Sequence, residues 1–307
     1  MPITRPMKPA DAFVDGKLLP LRYPLLCTPK IDGMRCQIVG HKALTSTHHV
    51  LPNEDTRRIL EYVFPEGADG ELLPDGEYDD FGNVTSAFMT VKGYTPFTFY
   101  MFDLVTDLTT PYWRRVKRMN KPRYNSSECR KLWKQHVIVL VPEIINNAKE
   151  LLAYEKRCMS KYPKCDGVCM RDPDGVYKNG RSTFREHGLL RLKRFVQSEA
   201  RIIGFEEMME NTNEAGVNAF GGTKRSHHQA GMKPKGTLGA FIVQRMPDGA
   251  CFKLGTGDGL TMAKRQDIWN HMRQWKGKIV TYKHLACGEK DAPRLPVYLG
   301  VRDARDM

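Results

Sequence analysis

The stretch Lys30-Ile31-Asp32-Gly33-Met34-Arg35 decides how this chain is read. A lysine followed at once by Asp-Gly, entering the alternating run from Arg35 to Gly40, is held at a turn beside a strand rather than on a solvated face. Such placement suits a nucleophile. A free lysine is protonated at pH 7, so it needs neighbouring cations or desolvation to lower its pKa by several units. Taken alone, KxDGxR is a short pattern that chance produces often, and an exposed turn lysine is the plainer reading.

Further pieces follow it in a fixed order. Asp69-Gly70-Glu71-Leu72-Leu73 presents a carboxylate at the start of an apolar run, and Phe99-Tyr100-Met101-Phe102-Asp103 sets aromatic rings on a strand. Asp166-Gly167-Val168 repeats the carboxylate device, and Arg191-Leu192-Lys193 places two cations on one strand face. Carboxylates can hold Mg²⁺, cations at period two can both touch a phosphate, and an aromatic face can stack on a base. The ordered set describes a nucleotide pocket. Singly, Glu71 and Asp166 read equally well as turn residues, Phe102 as a core aromatic, and Arg191 and Lys193 as an exposed face.

Outward from these motifs, period-two runs at 35–40, 97–105, 167–172, 189–196, 238–245 and 278–285 predict strands. Helical spacing marks 54–64, 146–162 and 261–275, the last opening on Thr261 as N-cap. Strands and helices do not alternate regularly, so the fold class is α+β, with mixed antiparallel sheets and flanking helices rather than a doubly wound sheet. The 307 residues are enough for two domains. Residues 1–196 mix helices and strands, whereas 197–307 hold short strands, Gly-rich turns and one long helical pattern, as in a five-stranded OB-fold β-barrel.

The net charge is +13 and the pI near 9.3, with +8 before residue 197 and +5 after it, which favours a polyanionic partner. With 41% apolar residues, no run approaching the roughly 18 a membrane span needs, and no secretory pattern at the start, a soluble cytoplasmic protein is expected. Eight cysteines without a CxxC pair fit small apolar residues in a reducing compartment, and Cys165 and Cys169 flank an expected turn at Asp166-Gly167. His41, His48, His49, His227 and His228 receive no catalytic role. From Pro111 to Lys134 the chain carries nine Lys and Arg against the single acid Glu128, with Tyr112, Trp113, Tyr124 and Trp133 interspersed. Phosphate contact and a solvated basic face both remain open there. Asn211 to Gly236 reads as a long mobile loop that would order on a nucleic-acid backbone.

In the order of these motifs the chain resembles the covalent nucleotidyltransferase superfamily and, within it, the small ATP-dependent DNA ligases of phages and viruses. KIDGMR looks like the nucleophile motif, DGELL the next, FYMFD the aromatic motif, CDGVCMRDPDGVYKNGRS the metal-carboxylate motif and LLRLKRF the twin-cation motif. FKLGTGDGL (252–260) and RLPVYLGVRD (294–303) are similar to segments of the ligase OB domain. The resemblance implies that Lys30 attacks the α-phosphorus of ATP and carries AMP, which passes to the 5′-phosphate of a nick before the 3′-hydroxyl displaces it. It implies that Arg35 touches the ribose and the nick phosphate, that Phe102 stacks on adenine, and that Pro29 offers its carbonyl to the adenine amino group. Glu71 and Asp166 would work with Mg²⁺ or Mn²⁺, and Arg191 and Lys193 would hold the α-phosphate. The implied partners are ATP and nicked double-stranded DNA, bound by a monomer without a membrane, with a hinge at Gln197–Ala200.

The chain departs from the family pattern at four places. Asp166 stands where Glu is usual and is shorter by about 1.5 Å, one C–C bond. Arg191 stands where Lys is usual, Leu44–Thr47 lacks the arginine of a Ser-Arg pair, and Pro29 has no N–H. The rival readings are an RNA ligase or mRNA-capping enzyme, told apart by labelling with ATP or GTP, and a nucleic-acid-binding protein without the chemistry.

Overall fold

The computed structural model describes residues 3–302 apart from 15, 77–80, 163, 218–222, 227, 247, 258 and 286–291, so His227 and Cys287 lie outside the described residues. The chain divides into two compact units, Met1–Lys193 and Arg194–Met307. The first unit begins with β1 (Ala10–Asp11), β2 (Phe13–Val14), β3 (Lys17–Leu18), β4 (Leu25–Ile31), β5 (Met34–Val39) and β6 (Lys42–Thr45). Helix α1 (Glu54–Val63), β7 (Ala68–Pro74), α2 (Phe81–Met89) and β8 (Phe97–Leu104) follow. Then come α3 (Tyr112–Val116), α4 (Ser127–His136), β9 (Val137–Val139), β10 (Glu143–Ile145), α5 (Ala148–Lys161), β11 (Cys165–Arg171) and β12 (Leu190–Leu192).

Side-chain caps start the helices where the sequence supplies them. Asn53 accepts from the Thr56 amide at 2.9 Å ahead of Glu54 and Asp55, whose charges suit the positive end of α1. Asn147 caps α5 through the Glu150 amide at 3.0 Å, and Ser126 caps α4 through the Cys129 amide at 3.1 Å. Two five-stranded sheets organise this unit, one ordered β1-β12-β11-β4-β10 and the other β6-β5-β7-β8-β9. On the first, Leu25, Cys27, Val168 and Met170 pack against Leu151, Tyr154 and Cys158 of α5. On the second, Cys36, Ile38, Leu72, Phe99 and Met101 form a core with Leu60 and Val63 of α1, with Phe64 just after it and with Trp133 of α4.

The second unit contains β13 (Phe195–Asn211), β14 (Ala215–Val217), β15 (Thr223–Arg225), β16 (Met232–Arg245) and β17 (Cys251–Leu254). It closes with α6 (Met262–Asn270), α7 (Met272–Trp275), β18 (Ile279–Leu285) and β19 (Arg294–Val301). Its five-stranded sheet runs β17-β16-β13-β18-β19 with every pair antiparallel. Phe241, Val243, Ile202, Val280 and Tyr282 fill the core, with Ile268 and Trp275 packed in from the helices. Thr261 caps α6 through the Lys264 amide at 3.2 Å, as its sequence position predicts.

Four expectations need correction. The helical pattern 261–275 is two helices, because the chain breaks at His271, whose φ and ψ are −121° and 31°. Gln197–Ala200 is no hinge, since those residues pair with Lys283–Val280 inside β13; the units meet at Lys193 and Arg194, which lie outside any strand. Asn211–Gly236 is not a plain loop. Within it β14 and β15 pair, Arg225 Nη1 donates to the Asn213 carbonyl, and the Asn213 side-chain amide donates to the Ser226 and His228 carbonyls at 2.8 and 2.9 Å. Finally, Asp166-Gly167 is a bulge within β11 rather than a turn, with the β4 register shifting between Cys165 and Val168. Gly167 adopts φ +145°, and a Cβ there would fall 2.1 Å from the Leu192 carbonyl oxygen, so only glycine lets β12 approach.

Candidate active site

Period two decides which side chains reach the pocket. On β5, β7 and β8, Arg35, Glu71 and Phe102 point away from the helix-covered core, while on β4 Thr28 and Lys30 point away from α5. These residues, with Pro29, Ile31, Cys169 and Arg171, line a pocket between the two sheets of the first unit. Gly33 makes the approach possible. A Cβ there would lie 2.6 Å from the Leu72 carbonyl oxygen, so the glycine after Asp32 lets the chain leaving Lys30 lie against β7.

Lys30 Nζ donates to Asp166 Oδ1 at 2.7 Å, and Lys193 Nζ sits 2.5 Å from Asp166 Oδ2. The carboxylate is nearly enclosed, with its side chain 2% exposed, and therefore binds the two amines into one buried unit. Burial would push the Asp166 carboxyl up, but the two ammonium groups outweigh it and hold the carboxyl below its ordinary value. Burial likewise favours neutral Lys30, yet Asp166 and, more weakly, Glu71 outweigh it and hold the amine above its ordinary value. The side chains around Lys30 thus do not by themselves supply the depression expected from neighbouring cations. Its nearest neighbours are carboxylates, a feature the hexapeptide could not display.

Glu71 is enclosed on the facing sheet, and its Oε2 is buried without a hydrogen-bond partner. Burial pushes this carboxyl up to about 8, against the opposing pull of Arg35 and Lys30. Arg35 is held by Asp69 through Nε to Oδ1 at 2.9 Å and Nη2 to Oδ2 at 2.7 Å, and its Nη1 donates to the Met7 carbonyl at 2.5 Å. Asp69 Oδ2 also accepts from Gln37 Nε2 at 2.9 Å and from the Tyr177 hydroxyl at 3.2 Å. His48 Nε2 lies 3.0 Å from Gln37 Oε1, so this histidine, given no catalytic role, belongs to the polar network behind Arg35. The Arg35 and Arg171 guanidinium carbons lie 5.3 and 5.8 Å from the Phe102 ring centroid, and Arg171 is fixed by the fully buried Asp103.

The structure thus brings Pro29, Lys30, Arg35, Glu71 and Phe102 to one pocket and ties Asp166 and Lys193 to Lys30. Arg191 does not share that carboxylate. Its Nε and Nη2 clamp Asp11 on β1 at 2.5 and 3.2 Å, opposite Cys169 of β11. Sequence reading missed Asp11, Asp69, Arg171 and Cys169. Asp69 alone carried a local signal, two residues before Glu71 on the same strand. No group of three or more metal-ligating side chains occurs among the described residues; Glu71 is the carboxylate that lines the pocket, and Asp166 adjoins it through Lys30.

The comparisons with known proteins agree with this layout. The model of the DNA ligase OB-like domain matches residues 231–302. Among curated proteins none matches the sequence. The crystal structure of Chlorella virus DNA ligase-adenylate is 32% identical, with 98% of this chain and 100% of that chain covered and a TM-score of 0.54. A second structure of Chlorella virus DNA ligase-adenylate is 33% identical over 98% and 99% of the two chains, also with a TM-score of 0.54. A Lig E DNA ligase, described as binding DNA with a minimal scaffold, shares the fold at 20% identity over 94% and 100%, with a TM-score of 0.63.

A half-buried lysine in a two-sheet pocket and an OB-like domain of DNA-ligase type together define an enzyme that ligates DNA. No observation favours the capping, RNA-joining or binding-only alternatives. The chain belongs to the family of ATP-dependent DNA ligases, in its small viral branch. No helix among the described residues is long and apolar enough to cross a membrane.

Proposed function

We propose that the enzyme seals nicks in double-stranded DNA with Lys30 as its nucleophile. Lys30 Nζ forms a bond to the α-phosphorus of ATP as the bond to the bridging oxygen breaks, releasing pyrophosphate. The proton leaves Nζ, and Asp166 Oδ1 is the acceptor within hydrogen-bond reach at 2.7 Å. AMP then passes to the 5′-phosphate of the nick, and the 3′-hydroxyl displaces it to form the phosphodiester.

The other side chains bind and orient. Phe102 takes the adenine face, the Pro29 carbonyl its amino group, and Arg35, pre-set by Asp69, the ribose and later the nick phosphate. Lys193 holds the α-phosphate, and Arg191 contributes a guanidinium to the same charge. A divalent cation, Mg²⁺ or Mn²⁺, fits the donor set. The unpartnered Glu71 Oε2 is a vacant hard-oxygen ligand, and magnesium sites use one or two carboxylates together with substrate phosphates. Glu71 and Asp166 would hold the cation, which when bound supplies positive charge beside the triphosphate. A cytoplasmic monomer, with Met1–Lys193 as the nucleotidyltransferase domain and Arg194–Met307 as the OB domain, completes the reading.

The observation that carries this proposal is Lys30 itself, half-buried in a pocket whose other walls include an aromatic ring, two arginines and a carboxylate with an unpartnered oxygen. Incubation with labelled ATP and Mg²⁺ tests it. Wild type should take up label and Lys30→Ala none, with its circular dichroism unchanged; label retained by a folded Lys30→Ala variant would move the nucleophile elsewhere.

A further inference from the structure

Helix α4 lies on the side of the β6-β5-β7-β8-β9 sheet opposite the pocket. Its inner face is committed to packing: Trp133 and Leu132 enter the core of that sheet, and His136 stacks on Phe97 with centroids 4.4 Å apart. With about 100° of turn per residue, Arg130, Lys131 and Lys134 fall within an arc of about 100° centred opposite that packing face. All three are exposed, and none makes an ion pair among the described residues. The single acid of the helix, Glu128, is approached by the Tyr62 hydroxyl at 3.3 Å. Before α4, the half-buried Arg123 lies 5.0 Å from the ring of exposed Tyr124 and donates to the Glu61 carbonyl at 2.6 Å, so it is not counted with these three.

This surface is separated from the pocket by a sheet and a helix, roughly 20 Å of protein. Duplex DNA is stiff over about 150 base pairs, so a short duplex whose nick occupies the pocket cannot also bend around to α4. The rise from Arg130 to Lys134 is about 6 Å, close to two 3.4 Å steps along one DNA strand, which lets both cations meet phosphates of a single backbone. A run of cations without acids on a face that is otherwise structurally idle fits a polyanion better than a mixed-charge protein surface.

We propose that the outer face of α4 is a second DNA-binding surface, which grips the backbone of a duplex segment other than the nicked one in the pocket. The choice of DNA rests on the chain being a DNA ligase; the position of the surface rests on α4 alone. The contact is sequence-independent and would let the enzyme hold two duplexes or a distant part of the same long molecule.

The test uses the full chain carrying Arg130→Glu, Lys131→Glu and Lys134→Glu together, with Arg130→Gln/Lys131→Gln/Lys134→Gln as a milder companion. Binding of an unnicked duplex of about 20 base pairs is followed while a nicked duplex of similar length saturates the pocket. Wild type should bind two duplexes, and both variants one. The slope of log K for the second duplex against log salt corresponds to about −0.9 per phosphate contact, so wild type should show about −2.7 if all three cations engage. Sealing of the short nicked duplex should stay within twofold of wild type. One duplex per wild-type molecule, two duplexes bound by the variants, or an equal loss of short-nick sealing would each overturn the proposal. So would variants that lose only thermal stability, since the cations would then serve the helix, or only an acidic protein partner. Failure of wild type to seal any nick would instead sink the catalytic reading and leave the duplex count interpretable.

Discussion

The two faces of the β6-β5-β7-β8-β9 sheet are built by the same strands and carry opposite chemistry. Met34, Cys36, Leu72, Phe99 and Met101 turn one way into an apolar core, while Arg35, Gln37, Glu71 and Phe102 turn the other way towards the pocket that Lys30 lines or its supporting network. The core face keeps the strands in register. The pocket face uses that rigidity to hold groups that would not stay buried on their own, an unpartnered carboxyl among them. Substitutions on the first face should therefore cost stability, and substitutions on the second should change chemistry.

The largest effect is expected on the core face. Phe99 is fully buried, edge-on to Phe64 with centroids 4.7 Å apart, so Phe99→Ala should destabilise the first unit by about 3–5 kcal/mol. Urea unfolding would measure this, and a loss below about 1 kcal/mol would erase the contrast between the faces.

Next comes Glu71. Its folded value of about 8 lies above the ordinary 4.5, so its contribution to stability is full below about 4.5 and is lost as pH rises through about 8. Glu71→Gln removes that penalty. Relative to wild type, the variant should gain on the order of 3 kcal/mol between pH 5 and pH 8 in the absence of nucleotide and metal. Parallel stability profiles would show instead that the carboxyl titrates normally.

A smaller effect is expected at the ring that two guanidinium groups approach. Phe102→Leu should raise the KM for ATP about tenfold, about 1.4 kcal/mol, while the melting temperature moves little. Steady-state adenylylation separates the two, and a large thermal shift with unchanged KM would return Phe102 to the core. The smallest effect belongs to Asp11→Asn. Asp11 neutralises Arg191 while fixing its orientation, so the variant should bind ATP a few-fold more tightly and react a few-fold more slowly. A fall in kcat with an unchanged KM would mean that Arg191 does not sense the triphosphate.

Within-strand chemistry was legible in the sequence because period two is local: Lys30, Arg35, Glu71 and Phe102 were marked by their own neighbours, and all four reach the pocket. Pairings across the fold were not. Asp11 meets Arg191 across 180 positions and Lys30 meets Asp166 across 136, so no local pattern announces either ion pair. The direction in which the protein's own side chains shift Lys30 depends on that second pair, which the hexapeptide does not display. The long strand β13 was legible only in its first residues, because beyond Val196 its side chains are mostly half-buried and polar residues interrupt the alternation. The β14-β15 pairing was hidden for a related reason. Ala215–Val217 and Thr223–Arg225 have little apolar patterning, and their connections come from backbone pairing and the Asn213 side chain.

The central claim is that one amine, enclosed between two sheets and facing two carboxylates, takes the adenylyl group. Peptide mapping by mass spectrometry after exposure of the intact protein to ATP and Mg²⁺ tests it most directly. An acid-labile AMP adduct confined to the peptide bearing Lys30 is the predicted result. An adduct on another side chain, or sealing of nicks with no adduct formed at all, would contradict the account.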